Sequence, residues 1–410
     1  MKLIHTSDWH LGQLFHGYER NAEHQVFLDW LVEQLQERKP DALLIAGDIF
    51  DHANPSGQSQ RQFYRFLAAA REQCPGLDIV VIAGNHDSAG RLEAPENLFE
   101  AFGVRVIGQL QPEEEPNRAL IPLHDSSGKI AAWCLGVPYL RPGDVPRNNG
   151  ERQAYPDGIA DTYRRHLHAA LDQRQTDQAL VAMGHLHARG GKTSEDSERR
   201  LVIGGEEAVD AGIFGKELAY VALGHLHLAQ TVGGEDRIRY CGSPLPLSFT
   251  ETSYPHQVLE VHLDGARLDR VETIRVPRPV EMLRVPTEPK PLGETLEALE
   301  SLETEDIEPG REPWLEVRVL LEGPEPGLRQ KIEEALADKP VRLVKISPTR
   351  KHDGSTDEPG SDEGALAFDL ERPDQLFVRR YREEWREDPD EELTSLFLEL
   401  QDRAHQEDAA

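Results

Sequence analysis

The sequence predicts an α/β protein: a two-sheet sandwich flanked by helices, with a small α/β capping domain and a C-terminal helical tail. Three observations carry that prediction. Short apolar runs recur from residue 3 onward and are too continuous for a sheet with one wet face, so their strands should be buried on both sides. Helical patterns fill the gaps between the early runs, whereas strand patterns follow one another after about residue 129, which suits two stacked sheets better than one doubly wound sheet. At 410 residues the chain has room for two or three domains.

Taken in order, strands are expected at residues 3–4, 42–46, 79–83, 104–107, 130–137, 179–183 and 220–223, and later at 237–241, 258–263 and 268–276. Residues 19–38 read as a helix with Val26, Phe27, Trp30, Leu31 and Leu35 on one face, and residues 59–73 as a second. The Pro-rich crossing at 276–279 marks a domain boundary, giving a first domain over 1–277. Residues 278–350 then alternate strand (281–285), helix (292–302), strand (315–321), helix (327–337) and strand (341–346). Residues 351–366 are acidic and nearly devoid of apolar side chains, which predicts a flexible linker. In the last part, 367–410, Phe377, Tyr381 and Trp385 fall at i, i+4, i+8, and Leu393, Leu396, Phe397 and Leu400 at i, i+3, i+4, i+7. Two amphipathic helices with little nearby to cover them are expected to dock a partner or to pack back onto their own domain.

Composition excludes several classes. Net charge is 45 − 74 = −29, with 7 basic against 19 acidic side chains in residues 351–410, so nucleic acid cannot be held by bulk attraction and would need a local patch. Arg61, Arg65, Arg91, Arg141 and Arg147 are candidates for one. Cys74, Cys134 and Cys241 are isolated, which fits neither a disulfide framework nor a cysteine zinc site and points to a reducing, cytoplasmic setting. An acid at Asp8 interrupts any leader-like start, and no apolar run approaches the ~18 residues of a membrane span.

Five segments place metal-binding side chains just beyond an apolar run: Asp8 and His10, Asp48, Asn85 with His86 and Asp87, His185, and His225 with His227. Each alone resembles an ordinary turn. Together they repeat oxygen and imidazole ligands at the carboxyl ends of successive strands, where ligands gather in α/β sheets. Asp8, His10, Asp48, Asn85, His185, His225 and His227 supply seven side chains, more than one ion needs. They suit two divalent cations ~3.5 to 4 Å apart sharing a carboxylate, an arrangement for phosphoester hydrolysis. The donor mixture favours Mn²⁺, with Fe, Zn or Mg compatible.

The motifs HTSDWHLG, AGDIFD, AGNHDS, LGHLH and YCGSPLPLSF together resemble the calcineurin-like metallophosphoesterases, and within them the SbcD family, nuclease subunits of bacterial SbcCD complexes. The resemblance is strong to about residue 275 and weaker beyond. It implies that Asp8, His10, Asp48 and His227 hold one metal, that Asp48, Asn85, His185 and His225 hold the other, and that Asp48 bridges. It further implies that His86 is the catalytic histidine beside the metals, that Asp87 orients it, and that His52 lies near the scissile phosphate. Also implied is a Mn-dependent DNA nuclease, a 3′–5′ exonuclease on double-strand ends and an endonuclease on single strands and hairpins. The implied assembly is a homodimer within a heterotetramer with the SbcC ATPase, in DNA repair, recombination and replication.

Two features need placing beside this. Residues 181–188 (VAMGHLHA) nearly repeat 221–228 (VALGHLHL), but the family pattern uses only the first histidine of the earlier copy, so His187 is read as a bystander, with a supporting role as the alternative. Residues 190–193 (GGKT) look like the end of a phosphate-binding loop yet lack the glycine required at Leu186, and no ATP site is expected. The alternative function is a metallophosphoesterase acting on a small-molecule or protein phosphoester; the capping domain, suited to a DNA channel, weighs against it.

Overall fold

The computed structural model describes residues 1–110, 118–141, 143–145, 147–148, 151–152, 155–192, 208–303, 310–323, 325–350 and Tyr381. The linker and tail helices expected over 351–410 lie outside the described residues, apart from Tyr381.

Two six-stranded sheets form the sandwich that the apolar runs predict. The first runs Arg267–Arg275, Gln257–Asp264, Lys2–Thr6, Ala42–Ala46, Asp78–Ile82, Val104–Ile107. Its last four strands are parallel, and the first two pair antiparallel. The second runs Gln230–Val232, Glu235–Tyr240, Tyr220–Gly224, Ala179–His185, Ile130–Gly136, Leu120–His124, with a parallel centre and antiparallel edges. Side chains alternate across each strand, and the central strands are apolar on both faces, whereas the edge strand Arg267–Arg275 is largely exposed. Leu44, Val80 and Ile82 of the first sheet pack against Cys134, Val181 and Met183 of the second. Leu43, Ile45 and Val81 turn the other way, onto the two helices α1 (Asn21–Arg38) and α2 (Gly57–Gln73).

Local differences from the sequence reading have packing causes. In α1 the buried face is Phe27, Leu28, Leu31 and Leu35, while Trp30 is only partly buried and packs at its edge. Glu23 and His24 are buried too, because the first turn of α1 runs under the loop that carries His10. The helix Tyr155–Gln173 has no counterpart in the sequence reading. Its inward positions include Gly158, Thr162 and His166 among Ile159, Tyr163 and Leu167, a weak apolar stripe that becomes a cover only against the outer face of the second sheet.

Beyond residue 280 the strands Met282–Pro291, Trp314–Leu321 and Arg342–Arg350 form a separate parallel sheet, with helices Leu292–Glu300 and Leu328–Ala335 between them. Leu299, Leu315, Val317 and Ile332 are its core. It meets the sandwich through Phe15, Phe249, Val280, Met282 and Trp314. The Trp314 indole also donates to Glu23 at 3.2 Å, and Glu23 in turn pairs with the buried Arg20. No helix among the described residues is long and apolar enough to cross a membrane.

Candidate metal centre

The parallel strands of both sheets end on one side, and there the five predicted segments converge. Asp8 and His10 follow Lys2–Thr6, Asp48 follows Ala42–Ala46, Asn85 and His86 follow Asp78–Ile82, His185 closes Ala179–His185, and His225 and His227 follow Tyr220–Gly224. The first two loops are laced together: the amide of Asp8 donates to Gly47 O at 3.0 Å and that of His10 to Asp48 O at 3.1 Å. Asp8, His10, Asp48 and His225 all hold positive φ angles (55°, 47°, 49° and 103°), a region costly for side chains other than glycine. Such strain persists where surrounding contacts over-determine it, and it marks functional loops. Gly84 has a steric reason to be glycine, since a Cβ there would strike the Asp48 carboxylate.

Three ligand groups overlap in space: Asp8, His10 and His227; Asp8, Asp48 and His185; and His10, Asp48 and His86, each with donor atoms within 4.8 Å of one another. Asp48 Oδ2 lies 3.4 Å from His185 Nε2 and 3.6 Å from His10 Nε2, between the two sides of the site. Asn85 Oδ1 is 3.0 Å from both His185 Nε2 and His225 Nδ1, which brings the remaining predicted ligands to the same place. Asp8 also belongs to two groups, so the geometry offers two carboxylates, Asp8 and Asp48, that can be shared.

The residues fit divalent cations on their own evidence. His10 is buried, its Nδ1 is engaged by Asp51 at 3.1 Å, and its Nε2 has no hydrogen-bond partner among the described residues. Burial raises the Asp8 carboxyl, against the pull of the His185 and His227 rings. Burial opposes charge on Asp48 as well, yet His185, His10 and His86 hold it well below the ordinary carboxylate range. Burial likewise disfavours a charged His185, but Asp48 and Asp8 raise it to about 9. His225 is pushed well below the ordinary histidine value by burial and by the His185 charge. Without metal, the proton on His185 thus helps to keep Asp48 ionised, and cations would displace it. Another group, Glu260, His262 and Glu272, does not compare: Lys2, Arg38 and Arg270 already neutralise its carboxylates.

The remaining predicted residues sit around this cage. His86, half-buried, faces the His10 ring at 4.8 Å; its Nδ1 donates to Asp51 O at 2.8 Å, and its amide donates to Asp48 Oδ1 at 2.9 Å. The Asp87 carboxylate accepts from the amides of Ile49, Phe50 and Gly84, so it ties the two ligand-bearing turns together through their backbones. Burial and the nearby Asp48 push Asp87 up to about 6, against those three donors. His52 is exposed, with Nε2 3.0 Å from Asp51 Oδ2. His187 is partly buried, its ring 6.4 Å from that of His225.

Sequence reasoning does not assign Asp51, which contacts His10, His52 and, through its carbonyl, His86. Its signal is present all the same, as the last residue of the AGDIFD motif. Glu251 escapes it too: this side chain is fully buried and 2.9 Å from His227 Nδ1, with no local pattern to announce it.

Comparison with known proteins agrees with this geometry. Residues 1–229 match the calcineurin-like phosphoesterase family model, and residues 277–384 match a model described as the type 5 capsule protein repressor C-terminal domain. The SbcD component of nuclease SbcCD from Rhodobacter capsulatus is 41% identical over 361 residues, covering 85% of this chain and 88% of that one. The chain belongs to the SbcD family of calcineurin-like phosphoesterases. SbcD proteins from Escherichia coli K12 and Bacillus subtilis 168 are 33% and 35% identical, over 86% and 63% of this chain and 86% and 65% of their own lengths. With its overlapping ligand clusters, this member of the family is a metal-dependent hydrolase whose site is laid out for two ions.

Proposed function

We propose that the chain is a Mn²⁺-dependent DNA nuclease that cleaves phosphodiesters with two metal ions, trimming double-strand ends in the 3′–5′ direction and cutting single strands and hairpins. The observation that carries this reading is the overlap of three ligand groups, joined through Asp8, His10 and Asp48, at the carboxyl ends of both sheets. Asp8, His10, Asp48 and His227 would hold one ion, and Asp48, Asn85, His185 and His225 the other. Such a pair supplies an activated water and neutralises the phosphoryl oxygens.

The chain's own side chains do the rest. With Nδ1 of His86 committed to Asp51 O, Nε2 is the atom to meet the phosphate or to protonate the leaving oxygen. Asp87 holds the turns that aim His86 and Asp48. His52, exposed beside Asp51, would meet the strand being cut. Arg61 and Arg65 on α2 and Arg91 on the short helix Ala89–Glu93 are exposed and, among the described residues, form no ion pair, which suits them to DNA phosphates despite the net charge.

Assembly follows the relatives' name. The chain would pair with the SbcC ATPase through its C-terminal helices, with residues 278–350 capping the DNA channel. A second copy would join at the 250 Å³ apolar groove of α2 and the helix Glu96–Ala101, where Tyr64, Leu98 and Phe102 are exposed. Three free cysteines accord with a cytoplasmic, reducing setting.

The test is incubation of the purified full-length chain, with and without SbcC and ATP, on end-labelled duplex, hairpin and single-stranded DNA in Mn²⁺ or Mg²⁺. Cleavage with Mn²⁺ supports the reading. Hydrolysis of small phosphate esters without any cutting of DNA would replace it with the small-substrate alternative.

A further inference from the structure

The stretch from Tyr240 to Phe249 is among the most distinctive in the sequence, yet it contributes no ligand to the cage. Its path shows what it does instead. Gly242 has φ 79°, and a Cβ there would strike His227 O. The amide of Ser243 donates to that same carbonyl at 3.1 Å, so the chain passes directly beneath His227. Pro246 O and Leu247 O are then pinned by Arg20 (2.7 Å) and Gln13 (3.1 Å), side chains from the loop after His10. After this turn the chain delivers Glu251, fully buried, to the far side of the His227 ring.

We propose that Glu251 is the positioning residue that fixes the tautomer and aim of His227, presenting Nε2 to a metal ion. The proposal rests on the two-metal reading and deepens it. Glu251 Oε1 lies 2.9 Å from His227 Nδ1, and Oε2 accepts the amide of Leu247 at 2.7 Å. As an ionised carboxylate, which can only accept, Glu251 would place the shared proton on Nδ1 and leave the lone pair on Nε2. Ligating histidines are ordinarily oriented in this way by an acceptor on their second nitrogen. Glu251 is itself braced: its amide donates to Ser248 O at 3.2 Å, and its carbonyl is 3.1 Å from Nε2 of the buried His256. Both oxygens and the backbone are committed, which is costly to arrange for a side chain with no task, because a buried carboxylate must be compensated. Asp51 does the same for His10 across 41 residues, as Glu251 does for His227 across 24.

The experiment uses full-length protein labelled with ¹⁵N-histidine, wild type and Glu251→Gln, with Glu251→Ala as a second variant and His227→Gln to assign the signal. In the metal-free wild type at about pH 8, long-range ¹⁵N–¹H spectra should show His227 protonated at Nδ1. Glutamine cannot accept from both Nδ1 and the Leu247 amide, so Glu251→Gln should release the ring into a mixture of tautomers. Titration with Mn²⁺, followed by electron paramagnetic resonance, should show two ions in the wild type and a loss of about 10- to 100-fold in affinity at one of them in the variant. Should Glu251→Ala fail to fold, the isosteric glutamine carries the test. A wild-type ring protonated at Nε2, or a Glu251→Gln protein that keeps the Nδ1 tautomer or binds both ions as tightly as wild type, overturns the assignment. A wild type that takes up no pair of ions overturns the two-metal reading instead, and the tautomer, measured without metal, then decides the role of Glu251 alone.

Discussion

Residues 181–188 and 221–228 are near copies of one octapeptide, and the fold uses them differently. They lie in adjacent parallel strands, but the strands pair with Val181 opposite Tyr220, one residue out of step with the repeat, so His185 sits beside Gly224 and not beside His225. A shift of one residue moves side chains to the other face of a sheet. His185 therefore ends a regular strand, with Nδ1 against Ala46 O at 2.9 Å, while His225 lies past the strand end at φ 103°, its amide donating to Asp8 Oδ1 at 3.0 Å. The second histidines diverge further. Tyr240 OH binds Leu186 O at 2.7 Å and the amide of Ala188 at 2.9 Å, on either side of His187, which like His225 lies outside the three ligand groups. In the second copy His227 turns inward to Glu251. Charge follows the same division, since His185 rises to about 9 and His225 falls well below the ordinary value. Near-identical peptides acquire different surroundings from register and neighbours, not from their own composition.

That comparison can be broken most severely by removing what the two copies share. Asp48→Asn takes charge from the carboxylate between the two sides; with several kcal/mol of metal-based stabilisation lost, phosphodiester cleavage should fall by about a thousandfold or more, read as initial rates at saturating Mn²⁺. His86→Ala should leave both ions bound while turnover drops by about 10²- to 10³-fold, and metal analysis of the purified variant distinguishes this role from that of a ligand. The two copies are separated directly by His227→Ala and His187→Ala. The first should weaken one Mn²⁺ site by at least about 100-fold in a binding titration, and the second should leave both sites within about twofold. The mildest perturbation is pH. His185 is raised above its unfolded value of 6.5, so in the metal-free protein its contribution is complete below pH 6.5 and lost as pH rises through about 9. Urea denaturation of the metal-free protein should show that decline, a few kcal/mol at most. Mn²⁺ binding at pH 7.5 should release a proton, seen by calorimetry in buffers of different ionisation enthalpy.

Much of this is legible in the chain itself. The strands at 42–46, 79–83 and 179–183 are readable because both of their faces are apolar, and the ligand segments because Asp, His and Asn repeatedly follow such runs. Helix Tyr155–Gln173 is not, since Gly158, Thr162 and His166 face inward and dilute its apolar period. Asp51 stands inside the AGDIFD motif but looks like any turn acid until His10 and His86 close on it. The resemblance makes Asp87 the residue that orients His86; that its carboxylate takes three backbone amides is a use of an acid that no pattern of residues encodes.

The α/β class, most of the strands and the segments rich in oxygen and imidazole side chains can be read from the chain, because hydrophobic period and donor chemistry are properties of residues close together in it. The packing of the two sheets settles instead that Asp8 as well as Asp48 can be shared and that Glu251 stands behind His227. Those outcomes depend on strand register and on contacts between residues far apart in the chain, such as His225 and Asp8, 217 positions apart, and such contacts are set when the two sheets pack.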